Sequence, residues 1–290
     1  MIGSDQPVLG VIGGTGIYEM DDLTIDSRLE LDTPFGPPSS PVITGHLAGV
    51  RVAFLARHGV GHVILPSEVN YRANLAAFKM LGVDRVVSIS AVGSLRIDFA
   101  PGDLVIPDQL FDWTHKRQRS FFGEGLVAHV SAPEPFCPDL SRRLAESSSR
   151  AGARVHVGGT SITIEGPRFS TRAESNTFRS WGMSIVGMTT APEAFLAREA
   201  ELCYAVMAHV TDYDVWHLEE TPVSVEMVLD TLNANTRLAQ ACLVELTRSL
   251  AGERSCSCPD ALRDAFITRR ESVPQETLAR LRPIVGRYFP

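Results

Sequence analysis

The sequence predicts an α/β fold: a mixed, largely parallel twisted sheet flanked by helices in a single domain. Two observations carry this. Short apolar runs alternate with segments whose apolar residues recur at helical spacing. Most of those runs close on Gly or on small polar residues, as parallel strands do where they turn toward a helix. A length of 290 residues suits one large α/β domain.

The elements follow in chain order. Val8–Ile12 is an apolar run ending in Gly13-Gly14, a strand and a turn. Val52–Leu55 is a second strand, closed by Arg57-His58-Gly59. Tyr71–Leu81 has helical spacing and stops at Gly82. Arg85–Ile89 is a strand that runs out into Ser90-Ala91-Val92-Gly93. Leu104–Ile106, Ser161–Ile164, Ile185–Met188 and Ala205–Val210 are further strands. Leu140–Ala151, Arg172–Trp181 and Glu193–Ala200 are helices between them. A long amphipathic helix starts near Ser224, with Val225, Val228, Leu229 and Leu232 along one face. The Pro34–Pro41 stretch reads as a surface loop. Residues 1–251 are expected to form the α/β domain, and the more polar residues 252–290 a peripheral extension packed on it.

Composition narrows the function. The net charge of −7 and the absence of any basic run argue against a nucleic-acid partner. No stretch of about 18 apolar residues exists to cross a membrane, and the N-terminus lacks a secretion-signal pattern, so the expected compartment is the cytoplasm. The five cysteines are scattered except for Cys256-Ser257-Cys258. Two thiols are too few for a zinc site, so no metal is expected, and the cysteines read as free buried thiols.

The polar residues that close the strands carry the chemistry. Ligands of open α/β sheets bind beyond the carboxyl ends of strands, so these clusters could converge on one pocket. Gly13-Gly14-Thr15-Gly16 can offer backbone N–H groups and a hydroxyl to an anion, or be a plain tight turn. Glu19 stands where a dinucleotide fingerprint needs its third Gly, and no Gly-Lys-Ser/Thr exists for a P-loop. Arg57 and His58 supply a planar cation and a titratable donor, or a surface Arg and a satisfied His. With Thr15, Ser90, Ala91 and Thr189, a phosphate cradle is the better reading. Asp212 and Asp214 could hold an exocyclic amine and a ring nitrogen, act as a hydrolase pair, or cap a turn. Phe169 is an aromatic platform for a base, or a core residue.

The segments Gly13–Gly16, Thr33–Gly36, Ala56–Gly59, Val69–Asn74, Glu134–Pro138, Thr163–Ser170, Arg172–Ser175, Met188–Glu193 and Thr211–Asp214 occur in this order. Together they resemble the S-methyl-5′-thioadenosine phosphorylases of the trimeric purine nucleoside phosphorylase family. The resemblance implies the phosphorylase-type fold, assembled as a homotrimer. It implies phosphate held by Thr15, Arg57, His58, Ser90, Ala91 and Thr189, with Ser170 as a further candidate. Phe169 would lie against adenine, Met188 under the ribose, and Asp212 and Asp214 at N7 and the 6-amino group. Val225, Val228 and Leu229 would line an apolar pocket for the 5′ substituent, with His129 entering from a neighbouring subunit. Phosphate would be the co-substrate, with no cofactor. The resemblance also extends to thermophilic members in which a Cys256/Cys258-like pair can be oxidised, with Cys137 and Cys203 placed as in them. Other readings stay open: a phosphorylase of another 5′-substituted adenosine such as a 5′-halo-adenosine, a nucleosidase using water, or a non-catalytic nucleotide-binding module.

Overall fold

The computed structural model describes residues 9–217, 225–250 and 254–289; the side chains of Thr15 and of residues 225–234 lie outside that description. Eleven strands form one sheet. In chain order they are β1 (Leu9–Gly13), β2 (Leu23–Leu29), β3 (Val42–Leu47), β4 (Val50–Ala56), β5 (Arg85–Ser94), β6 (Leu104–Ile106), β7 (Gln109–Trp113), β8 (Val155–Val157), β9 (Thr160–Ile164), β10 (Ile185–Gly187) and β11 (Cys203–Asp212). The helices are α1 (Tyr71–Met80), α2 (Pro138–Arg150), α3 (Arg172–Ser180), α4 (Thr190–Glu199), α5 (Val225–Ser249) and α6 (Gln275–Val285). The expected mixed, largely parallel sheet flanked by helices is what forms.

Strand β11 shows how the two faces are made. Tyr204, Val206, Ala208 and Val210 enter one core with α1, α4 and α6 residues, while Cys203, Ala205 and Met207 enter a second core with α2 and α5. Alternate side chains of a strand point to opposite faces, so a strand buried on both sides reads as a continuous apolar run. A third, smaller cluster packs Phe178 of α3 on Ile162, Ile164 and Val186.

Strand β5 sets up the site. Its first half, Arg85–Ser88, pairs parallel with β1, while Gly93 and Ser94 pair antiparallel with β10 on that flank. The other flank is covered by β11 along most of its length. Between Ser88 and Gly93 the neighbours β1 and β10 part, and β5 borders a gap. The sequence placed Ser90 and Ala91 beyond the end of a strand ending at Ile89. They lie instead mid-strand, at this gap. A split between neighbours is where α/β sheets receive ligands.

Strands β2, β3, β7 and β8 were not read from the sequence. The Pro34–Pro41 loop lies at the surface and is tied down there: the Ser39 N–H donates to Asn74 Oδ1 at 2.8 Å and the Ala56 N–H to Ser40 Oγ at 3.0 Å. Within residues 254–289, Leu262, Leu281, Ile284 and Val285 are at most 2% exposed and belong to the core shared with α1 and α4. The fold also revises the reading of Cys256 and Cys258 as an isolated thiol pair. It carries Cys137 and Cys203 to them, so that four sulfurs lie within 4.8 Å of one another. All five cysteines are free in this structure.

Leu281→Ala should lower unfolding free energy by about 2–5 kcal/mol, the range for emptying a closed core site. Urea unfolding followed by circular dichroism checks this; a loss below about 0.5 kcal/mol, typical of surface positions, would take α6 out of the core.

Candidate active site

The gap beside β5 gathers one cluster of polar groups at each end. At the first end, Thr189 follows β10 and stands at the N-cap position of α4. Its hydroxyl is 3.4 Å from that of Ser90. The Ile89 carbonyl accepts from Arg57 Nη1 at 3.0 Å, which shows that this residue's backbone faces the β1/β4 side. Backbone groups alternate direction along a strand, so Ala91, two residues on, turns its N–H and C=O toward the same side. The turn after β1 is tied in by the Arg57 N–H, which donates to the Gly13 carbonyl at 3.0 Å.

Arg57 is engaged within the chain. The guanidinium is 3% exposed. Its Nε and Nη2 donate to Glu193 Oε2 and Oε1 at 2.9 and 3.0 Å. Nη2 also donates to Ser88 Oγ at 2.6 Å. The edge that would grip a phosphate bidentately is therefore spent on a carboxylate of α4. Burial opposes the Arg57 charge, but the Glu193 carboxylate outweighs it and holds the pKa above the usual value. At most one Nη1 hydrogen is left over from the five.

His58 is half-buried, and its Nδ1 donates to the Ile64 carbonyl at 2.9 Å. Its ring stacks on His62 with centroids 4.5 Å apart. Burial, helped by the Arg57 charge, lowers its pKa to about 4. At neutral pH the ring is uncharged, and Nε2 is the nitrogen that carries the lone pair.

At the other end, β11 finishes in Thr211-Asp212. A register shift between Val210 and Asp212 brings Asp212 opposite Gly93 of β5. A side chain on Gly93 would come within 3.1 Å of Asp212 Oδ1 and 3.2 Å of Asp214 Cβ, tighter than ordinary contact, so glycine suits the close approach of the strands here. Asp212 Oδ2 accepts from the Thr211 hydroxyl at 2.6 Å, and Oδ1 from the Asp214 N–H at 2.7 Å. That second bond closes an Asx-type turn and helps hold Asp214 at φ 51°. Asp214 is 8% exposed, and its Oδ2 is buried without a partner. Burial raises the pKa of this carboxyl; the nearby Ser175 and Ser170 hydroxyls favour its ionised form without closing a bond of ordinary geometry. Trp216 Nε1 donates to the Ser94 carbonyl at 2.8 Å and pins the turn to β5.

Met188 lies beside the gap, its sulfur 2.6 Å from where a side chain of Gly166 would begin. Phe169, three residues on from Gly166, is 38% exposed at the rim rather than in the core. His129 is not brought to this cluster within one chain by any contact among the described residues; its backbone N–H donates to the Ala265 carbonyl at 2.8 Å. Thr15, Val225, Val228 and Leu229 lie outside the described side chains. A separate concavity of about 330 Å³, lined by Phe35, Asn70, Arg72, Lys116 and Gln118 among others, contains none of the expected site residues.

Glu193, Tyr204 and Ser88 were missed. The Tyr204 hydroxyl donates to Glu193 Oε1 at 2.7 Å, completing the buried network around Arg57. The available signal was an acid set in the apolar run Ala191–Leu196, since a carboxylate there needs a buried partner.

The distance between the ends can be reckoned from β5. Ser90 and Gly93 are three residues apart, roughly 10 Å at about 3.3 Å per residue. An anion cradle and a carboxylate pair at that separation, with a methionine and an aromatic ring alongside, fit the length of a nucleoside and its attacking anion.

The family model of the phosphorylase superfamily matches residues 8–248. The chain belongs to the phosphorylase superfamily. It is 51% identical to the S-methyl-5′-thioadenosine phosphorylase of Geobacter sulfurreducens, over 98% of this chain and 99% of that one. Among solved structures, a methylthioadenosine phosphorylase from an Antarctic soil metagenomic library superposes with a TM-score of 0.93 at 44% identity. That match covers 97% of this chain and 99% of the other. A mutant adenosine/methylthioadenosine phosphorylase of Schistosoma mansoni, solved with methylthioadenosine, superposes with a TM-score of 0.79 at 37% identity, covering 86% and 93%. Among the described residues of this family member, no helix is long and apolar enough to cross a membrane.

Two outcomes test this geometry. Glu193→Ala should cost about 3–5 kcal/mol in chemical unfolding, because it leaves the Arg57 charge buried without its carboxylate. His209 is 1% exposed with both ring nitrogens unpartnered, and burial lowers its pKa to about 4. Its folded pKa lies below its unfolded value near 6.5, so its contribution to stability is full above about pH 6.5 and is lost as pH falls toward 4. Glu199, raised to about 7 by burial, changes in the opposite sense over part of that range. The comparison is therefore between variants: His209→Leu should lose less stability than the parent between pH 6.5 and 4 in parallel unfolding titrations.

Proposed function

We propose that the chain catalyses phosphorolysis of 5′-methylthioadenosine, giving adenine and 5-methylthioribose 1-phosphate. The observation that carries this is the two-ended gap beside β5, with the hydroxyls of Ser90 and Thr189 at one end and Asp212 and Asp214 against Gly93 at the other. The named relatives support the choice of nucleoside.

In this reading phosphate occupies the Ser90, Ala91 and Thr189 end, with Thr15 and His58 as further donors and Ser170 as an outer candidate. Arg57 holds the ends of β1 and β4 to the middle of β5, with at most one Nη1 hydrogen left to reach the phosphate. A phosphate dianion beside His58 would favour a proton on Nε2, turning the lone pair into a donor. Adenine lies against Phe169. The unpartnered Asp214 Oδ2 suits the 6-amino group, a donor, and Asp212 holds N7. Met188 packs under the ribose. Val225, Val228 and Leu229 take the apolar 5′ group.

The reaction breaks the bond between C1′ and N9 and forms one between C1′ and a phosphate oxygen. Adenine takes up one proton at N7 under Asp212, and the phosphate gives one up on becoming the sugar ester, so the step balances with solvent carrying the proton between them. The phosphate charge lies next to the positive charge that develops on the ribosyl ring. Phosphate is the co-substrate, and the balanced step calls for no cofactor.

We place the working unit as a homotrimer in which His129 reaches the 5′ pocket of a neighbour. Phe111, Trp113 and Trp181 support assembly: they stack together at edge strand β7 while each stays 37–47% exposed.

Adenine release from 5′-methylthioadenosine should require phosphate and yield a sugar 1-phosphate on chromatography. Equal release without phosphate would make the protein a nucleosidase, and no release would redirect the search to other 5′ groups. Asp212→Ala should lower turnover by roughly 10²–10⁴-fold, the span of a positioned proton donor or acceptor; near-parental turnover would remove Asp212 from that part.

A further inference from the structure

Four cysteines that play no part in the proposed chemistry meet at the far end of β11. The sulfurs of Cys137, Cys203, Cys256 and Cys258 all lie within 4.8 Å of one another, and those of Cys203 and Cys256 are 3.3 Å apart. Cys137, Cys203 and Cys258 are at most 4% exposed, and Cys256 is half-buried. A tetrahedral zinc ion with Zn–S bonds of about 2.3 Å holds its sulfurs about 3.8 Å apart. The 3.3 Å pair and the 4.8 Å upper limit bracket that value.

The four thiols come from three separate parts of the fold, and each part is fixed by its own backbone. Cys137 stands at the N-cap of α2, where its sulfur accepts from the Leu140 N–H at 3.5 Å. Cys203 opens β11, its N–H donating to the Asp84 carbonyl at 3.0 Å. The Cys137 N–H donates to the Tyr204 carbonyl at 2.8 Å and ties the first two parts together. Cys258 opens a 3₁₀ turn, Cys258–Asp260, that leads the C-terminal segment back into the core. Thiols gathered this closely can bind a soft cation as thiolates.

The surroundings favour negative charge. Arg198 Nη1 lies 3.7 Å from the Cys258 sulfur. The N-terminus of the 13-residue helix α2 points its partial positive charge at Cys137.

We propose that Cys137, Cys203, Cys256 and Cys258 form a structural tetrathiolate site for zinc, which clamps the C-terminal segment to the start of β11 and the head of α2. Coordination ionises the thiols, and their protons pass to solvent, so affinity rises with pH. Cys203 and Asp212 are nine residues apart on one strand, roughly 30 Å at about 3.3 Å per residue. The ion would therefore hold the fold and take no part at the substrate, and the proposal stands independently of the reaction assigned above.

The test uses the full chain, purified under reducing conditions without chelators and analysed for metal by mass spectrometry. About one zinc per chain is expected. Apo protein loaded with cobalt should show the intense visible bands and sulfur-to-metal charge transfer of a tetrahedral thiolate site. Cys256→Ser with Cys258→Ser should abolish both signals. A strong chelator should lower the melting temperature of the parent and leave that of the double variant unmoved. Should the variant fail to fold, the cobalt spectrum of the parent decides alone. Four thiols that react freely after zinc reconstitution, with no retained metal, would overturn the proposal. So would disulfides among these cysteines that, once reduced, give protein taking up no metal, or iron in place of zinc at the same stoichiometry.

Discussion

The structure around the site depends on one buried ion pair. Arg57 reaches Glu193 through two of its nitrogens, Ser88 and Ile89 of β5 through hydrogen bonds, and the Ile12 carbonyl of β1 at 3.4 Å. Glu193 in turn accepts from Tyr204 of β11. One planar cation therefore fixes the ends of β1 and β4, the middle of β5, the first turn of α4 and the start of β11. A guanidinium suits this because its N–H groups leave in set directions in one plane, whereas an ammonium would tolerate other arrangements. The pair also cancels its own charge. Under the proposed reaction, the phosphate would be met by neutral hydroxyls and backbone groups beside an internally compensated cation. Such a cradle can hold an anion and still let its product leave.

Strand β5 then acts as a ruler. Its flanking partner changes from β1 to β10, and the uncovered stretch carries Ser90 and Ala91, with Gly93 at its border. Both ends of the site are borne on, or pressed against, one continuous strand, so their separation is set by backbone geometry rather than by loop conformation. The side chains that depend on loops, Phe169 and the Asp214 turn, are braced in their own ways. Arg168 forms a two-point ion pair with Glu174, and Arg179 lies 3.6 Å above the Trp216 ring. Arg117, 8% exposed, donates to the carbonyls of Glu165 and Ala191, linking the segment before Gly166 to the start of α4.

Much of this was legible in the amino-acid order. The doubly buried strands β1, β4, β5 and β11 are runs of Val, Ile, Leu and Ala, and such runs declare themselves. Strands β2 and β7 do not, because one of their faces meets solvent: Leu23–Leu29 mixes Thr, Asp, Ser and Arg with its apolar residues, and Gln109–Trp113 alternates exposed with half-buried positions. Pairing partners far along the chain decide such strands. The polar residues at the site were visible as residue types after apolar runs, but their relations were not. Arg57 read as a group for a ligand, and only the fold shows Glu193 in front of it. Cys137 and Cys203 are distant from Cys256 in sequence, and no local pattern announces that they meet.

The placement of α6 has a bearing on how the protein is made. Leu281, Ile284 and Val285 complete a core whose other walls include α1, built from residues 71–80. A nascent chain carrying every strand and every residue of the proposed site would still lack that wall, and the part of α1 that α6 covers would stay wet until residues 275–285 had emerged. Closure of the core is then a late, long-range event, slow by the cost of joining distant segments. Emergence of α6, rather than appearance of the sheet, is then the step that takes this apolar surface out of reach of aggregation.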